Sequence, residues 1–193
     1  MYFDVKKVAL ISATVIASGC ASFQANNLPV VQDSEYKVTK VEKVKVFSRW
    51  KVESSNAVVN QDAAAAIYKS AFEKEIKASG CCEIVEGPTE ATLVIDGTAV
   101  DHSNAAVLVP AIITGLSLYT IPSWVTQEID IKVNAKSGEN TNSYQLNDSF
   151  TLVQWLPMMF AFPFTGGPGA NGEELNANTY RNLIVQLKKD GYL

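Results

Sequence analysis

No charged side chain occurs from Ser103 to Gln127, a run of 25 positions, or from Ser149 to Gly172, a run of 24, in a chain that carries 16 Lys+Arg and 20 Asp+Glu. Each run has an apolar centre: Val107, Leu108, Val109, Ile112, Ile113, Leu116, Leu118 and Ile121 in the first, and Leu152, Val153, Trp155, Leu156, Met158, Met159, Phe160, Phe162 and Phe164 in the second. A bilayer-spanning helix needs about 20 apolar residues, so the first run is just long enough to cross. The second is broken by Pro157 and Pro163, which remove backbone donors and clash with the preceding turn. Neither run is flanked by the Lys/Arg bias that orients a spanning helix. Whatever this chain folds into must accommodate two long greasy inserts.

The residues around them read as a single α/β domain. Val44 and Val46 alternate with Lys43, Lys45 and Phe47, so about Lys40 to Ser48 reads as a half-exposed strand. Asn60 and Asp62 are good N-cap residues, and Ala64, Ile67, Tyr68, Ala71, Phe72, Glu75 and Ile76 keep helical spacing until Gly80. A short strand at Cys82 to Val85 and a turn at Gly87-Pro88 precede an apolar strand from Thr92 to Val100. Ile129, Ile131, Val133 and Ala135 alternate with polar residues, and the Ser137 to Asn142 turn leads into a fifth strand through Tyr144 and Leu146. Tyr180, Leu183, Ile184 and Leu187 lie on one helical stripe between Glu173 and Lys189. This order predicts an α/β (α+β) fold, with a mostly antiparallel sheet of about five strands and two helices on one face.

Topology constrains the inserts further. A span by the first one would divide the sheet across the bilayer, so a simple crossing is rejected. A right-handed strand-helix-strand crossover makes the first two strands parallel, and the Gly87-Pro88 turn then suggests a third strand antiparallel to them. With the third to fifth strands as a meander, the inserts at about 105–122 and 151–165 leave from one end of the sheet. By this scheme the first strand also starts there. The inserts are expected to dip into a membrane, to meet an integral partner or another copy of the chain, or else to cover the sheet. Under the contact readings, the contact residues are Leu108, Ile112, Ile113, Leu116, Tyr119, Trp124, Trp155, Leu156, Phe160 and Phe162, with the amphipathic rings near the headgroups.

The N-terminus gives the location. Lys6 and Lys7 precede an apolar run from Val8 to Ile16, then the small residues Ala17, Ser18 and Gly19, then Cys20, which is the layout of a targeting segment rather than of a fold. Ala17-Ser18-Gly19-Cys20 resembles the lipobox of bacterial lipoprotein precursors, departing from it in having Ala17 where Leu is usual. The resemblance implies cleavage between Gly19 and Cys20 and a diacylglycerol on the Cys20 thiol, that is, a membrane partner held through an N-terminal lipid. Residues 1–19 are then a signal peptide, 20–35 a lipidated terminus and linker, and 36–193 the domain. Two or three acyl chains, at about 0.8 kcal/mol per buried methylene, hold a protein at a membrane. In this family Asp after the cysteine marks inner-membrane retention; the residue here is Ala21, which implies the outer membrane and its periplasmic face.

Catalytic and cofactor chemistry finds few candidates. His102 is the only histidine, and a strand-end Asp101-His102-Ser103 has no nucleophile elbow around it. The glycines at 166, 167, 169 and 172 are followed by no Lys-Ser/Thr pair. One histidine and three cysteines exclude zinc clusters, so no metal, cofactor or catalytic residue is expected. The net charge of −4 argues against nucleic acid as a partner. Six basic and two acidic residues between Glu35 and Lys51 suit either a strand against anionic headgroups or, more commonly, a lysine-guarded sheet edge. Cys81 and Cys82 are adjacent; side chains that alternate along a strand favour an intermolecular bond or a buried thiol over a bridge between the two.

By element order the domain resembles the small α/β envelope lipoproteins that assist transport complexes, which implies a non-enzymatic role in envelope maintenance or transport. It carries over no site residues. Two alternatives remain open: a subunit of an oligomeric outer-membrane pore, resembling the curli-secretion lipoprotein, and a periplasmic enzyme.

Overall fold

The structure is a computed structural model that describes residues 20–38, 42–54, 56–57, 59–102, 108–160, 164 and 170–193. The expected signal segment, Ser103 and the glycines at 166, 167 and 169 lie outside them. The described residues form a mixed α/β fold with an open six-stranded sheet and four helices. In chain order these are β1 (Cys20–Gln24), α1 (Asp33–Tyr36), β2 (Val44–Ser54), α2 (Gln61–Ala78), β3 (Cys82–Ile84), β4 (Leu93–Asp101), α3 (Leu108–Leu116), β5 (Ser123–Ser137), β6 (Asn140–Gln154), a 3-10 turn (Leu156–Phe160) and α4 (Ala170–Lys189). The strand order across the sheet is β1-β6-β5-β4-β2-β3.

The chain divides into two compact units. The larger comprises the described residues of Ala25–Ser103, Glu128–Ser149 and Glu173–Leu193. Its strands obey the period of two: Val46, Ser48 and Val52 on β2, Leu93, Ile95 and Ala99 on β4, and Ile129, Ile131, Val133 and Ala135 on β5 are buried, while the residues between them on the opposite face are more exposed. Asn60 caps α2 by accepting the Ala63 N–H at 3.0 Å. Gly80, at φ +78°, ends the turn after it; a side chain there would be strained and would also press on the Val38 carbonyl. Trp50 of β2 meets Phe72 of α2 and Tyr180 of α4, each with ring centroids 5.5 Å apart, so both long helices cover one face of the sheet. Arg181 of α4 donates through Nε to Glu75 of α2 at 2.9 Å, which pairs a buried carboxylate.

The sheet differs from the expected one in count and direction. It has six strands, and it is mixed: β2 runs parallel to both β3 and β4, whereas β4–β5 and β1–β6 are antiparallel. The Gly87-Pro88 turn therefore does not reverse β4 against β2. β3 is three residues long, about 10 Å at ordinary strand rise, so the eight residues from Val85 to Thr92 suffice to double back. Val85 N–H bonds the Val46 carbonyl on one side of β2, and Thr92 N–H bonds the Lys45 carbonyl on the other. In the strand order β2 lies between β4 and β3, but β3 pairs with it only from Val44 to Val46. Arg49 makes a two-pronged ion pair with Asp96, and Lys51 pairs with Glu53. Because β4 is parallel to β2, with Ser54 opposite Asp101, β2 starts at the end of β4 away from the first insert. The expectation that it starts beside the inserts is corrected.

Two further expectations change. Residues 20–35, read as a linker, are structured. Cys20 to Gln24 pair with Gln154 to Phe150, Ala21 and Ser22 are fully buried, and Ala25 N–H continues the pairing to the Ser149 carbonyl. Asn27 N–H then bonds Asp148 Oδ1, Val31 N–H bonds Asn178 Oδ1, and the Pro29 carbonyl accepts from both Asn178 and Asn182. Cys81 and Cys82 form a disulfide with each other. β3 begins at Cys82, so Cys81 lies outside it and strand alternation does not force the two side chains apart.

Candidate functional site

The smaller unit comprises the described residues of Met1–Gln24, Asn104–Gln127 and Phe150–Gly172. From Cys20 onward its three segments contain no Asp, Glu, Lys, Arg or His; every charged residue of the chain after Cys20 belongs to the larger unit. Apolar composition alone leaves the backbone and short polar side chains to be satisfied internally. Ser117 Oγ donates to the Thr114 carbonyl at 2.9 Å and accepts the Ile121 N–H at 3.1 Å, and Thr120 Oγ1 donates to the Ser117 carbonyl at 2.7 Å. Leu118 and Tyr119 both take left-handed φ, 52° and 62°, and turn the chain after α3. Leu156 N–H bonds the Tyr119 carbonyl at 2.8 Å, tying the two inserts together. Ser123 Oγ donates to Gln154 Oε1 at 3.2 Å, and the Thr126 and Thr151 hydroxyls share a hydrogen bond at 2.9 Å.

While these polar groups are engaged, the large apolar side chains are left outside. Among the described residues, every exposed large hydrophobic side chain except Val30 and Ile67 belongs to this unit. Val109, Ile112, Ile113 and Leu116 are all exposed, and their spacing of i, i+3, i+4, i+7 makes one stripe along α3. Thr114, between them, is buried. Trp124 is 69% exposed, Phe160 75%, Leu116 81% and Phe164 88%.

Of the contact residues read from the sequence, Ile112, Ile113, Leu116, Trp124, Trp155, Leu156 and Phe160 are exposed in this unit, and Tyr119 is half-buried at the turn. Leu108 opens α3, but its side chain and all of Phe162 lie outside the described residues. Phe23, exposed on β1, was missed, since Cys-Ala-Ser-Phe-Gln shows no strand pattern of its own. Its partner Thr151 on β6 is what places it. Gly19 lies outside the described residues. Cys20 starts β1 opposite Gln154, the residue before Trp155. Its thiol is buried in the full-length chain, and that burial pushes its pKa up.

The larger unit has an open hollow of ≈ 590 Å³ lined by Glu53, Ser54, Gln61, Val100, Asp101 and His102. His102 Nε2 is 3.5 Å from Asp130 Oδ2, and Ser54 Oγ donates to Asp101 Oδ2 at 2.7 Å. The Tyr68 phenol is pushed up by burial and, secondarily, by Asp101. Among the described residues no group of three or more His, Cys, Asp or Glu could hold a metal ion, and no helix is long and apolar enough to cross a membrane.

No family model matches the chain, and no curated protein matches it. Solved structures with a similar arrangement include a PelC dodecamer from Paraburkholderia phytofirmans, at 9% identity and TM-score 0.38, covering 87% of this chain and 96% of that one. A DUF4136 family protein from Bacteroides thetaiotaomicron matches at 11% identity and TM-score 0.33, covering 88% of this chain and 95% of that one. These likenesses carry no functional argument.

Proposed function

We propose that the chain is a non-enzymatic, lipid-anchored lipoprotein of the outer membrane, facing the periplasm. Its charge-free unit seats it in the bilayer or on an integral membrane partner in envelope maintenance or transport. One observation carries this reading: among the described residues the exposed large hydrophobic side chains are concentrated on the one unit that has no charged residue from Cys20 onward, and the expected lipidation site, Cys20, belongs to that same unit. Contiguous apolar surface on a folded protein marks a contact site, and side chains such as Leu116 and Phe160 gain about 1.5–3 kcal/mol each when fully removed from water. The first insert folds as the helix α3, not as the alternating strand that a shared outer-membrane barrel needs, which favours seating over a pore.

The test is a Cys20→Ala version exported through a cleavable secretory signal. Retention in the membrane fraction after carbonate washing and flotation is the expected result. A soluble, monodisperse domain would refute the seating and leave a lipid-tethered binding module.

A further inference from the structure

The distance between the lipid and the fold is what the structure adds. A lipoprotein is commonly pictured as a domain on a flexible leash, and such a leash leaves the domain free to face any way. Here the expected first residue of the processed chain, Cys20, is also the first residue of β1. Five register pairs hold β1 against β6, and the chain stays fastened afterwards through Ala25, Asn27, Pro29 and Val31. No free spacer separates an acyl group on Cys20 from the charge-free unit. The 3-10 turn Leu156–Phe160 begins two residues beyond Cys20's partner Gln154.

We infer that the occupant of the exposed apolar surface is the hydrocarbon edge of a single lipid leaflet, entered by the α3 stripe Val109, Ile112, Ile113 and Leu116 of the same unit as the anchor; this rests on the membrane-seating reading above. Three observations favour lipid over a protein groove. The unit has no charge of either sign after Cys20 to specify a partner or be desolvated. α3 has nine residues, about 14 Å at helical rise, which is half of a hydrocarbon core about 30 Å thick. The exposed Trp124 and Trp155 supply the amphipathic rings that settle at the headgroup boundary. The anchor brings a leaflet to this unit without slack.

The experiment uses the mature chain carrying Cys20→Ala and protein-free vesicles of phosphatidylethanolamine and phosphatidylglycerol. The protein is expected to float with the vesicles. Because the surface is uncharged, a tenfold rise in salt should leave the bound fraction within about twofold. Ile112→Glu with Ile113→Glu should lower it at least about tenfold, while Ile67→Glu, at a still more exposed isoleucine on α2 of the other unit, should leave it unchanged. Near-ultraviolet circular dichroism checks that each variant is folded. Quenching of tryptophan fluorescence should be stronger from lipids brominated near the carbonyls than from lipids brominated near the methyl ends.

Floating that the α3 pair does not weaken, or that salt abolishes, would overturn the inference. A chain that ignores bare vesicles but is retained by native membranes would also overturn it, and would leave the proposed function standing with an integral protein as the partner. A chain that binds neither would remove both this inference and the seating reading it rests on.

Discussion

The indole of Trp50 lies across Gly97. The two residues are partners in the β2–β4 register, and a Cβ on Gly97 would stand 2.5 Å from Trp50 Cε3. The ring is held from the helix side by Phe72 and Tyr180, themselves 5.8 Å apart, so it has little room to retreat. Gly97→Ala should therefore destabilise the fold by about 1–3 kcal/mol through overpacking, read as a fall in the thermal midpoint. In a Trp50→Leu background the same substitution should cost much less. Equal costs in both backgrounds would show that the indole is not the obstacle.

Asn178 fastens the N-terminal strap: its Oδ1 accepts the Val31 N–H at 2.9 Å and its Nδ2 donates to the Pro29 carbonyl at 3.1 Å. Asn178→Ala should cost about 1–3 kcal/mol, because it leaves a buried backbone donor without its partner. Amide exchange in residues 25–36 should accelerate well before that in β5. Uniform exchange in wild type and variant would restore the idea of a free linker.

Tyr144 donates its phenol proton to Asp190 Oδ2 at 2.6 Å. Burial, followed by this hydrogen bond to the carboxylate, pushes its pKa up to about 12. A raised phenol pKa means that the folded state keeps a proton the unfolded chain gives up near pH 10. Its contribution to stability is fully present below pH 10 and is lost as pH rises toward about 12. Denaturant midpoints between those values should fall for the wild type more steeply than for Tyr144→Phe, and ultraviolet difference titration should show one late phenolate that the variant lacks.

The pairing of Cys81 with Cys82 makes a mass prediction. Oxidised mature chain carrying Cys20→Ala should weigh less than its all-thiol form by two hydrogens and should resist alkylation even when denatured without reductant. Labelling of both cysteines under those conditions would return them to the free thiols expected from strand alternation. Ser79 Oγ, 3.0 Å from Cys81 Sγ, lies on the buried side of the same turn.

The sequence by itself determined the parts whose signal is local. Helical spacing and caps placed α2 and α4 within a few residues, alternation located the centre of β5, and the absence of charge marked both inserts that form most of the apolar unit. Tertiary structure alone decided which strands are neighbours and which way they run. Periodicity reports which side of an element is buried, but a backbone N–H and carbonyl pair equally well with any strand that comes within reach. So β4 could join β2 in parallel on the side away from the short β3, and Cys20 to Gln24, with no pattern of their own, became a strand because β6 offered a free edge. Exposure of the α3 stripe was decided there too, since a run of apolar residues looks the same in sequence whether a protein interior covers it or not.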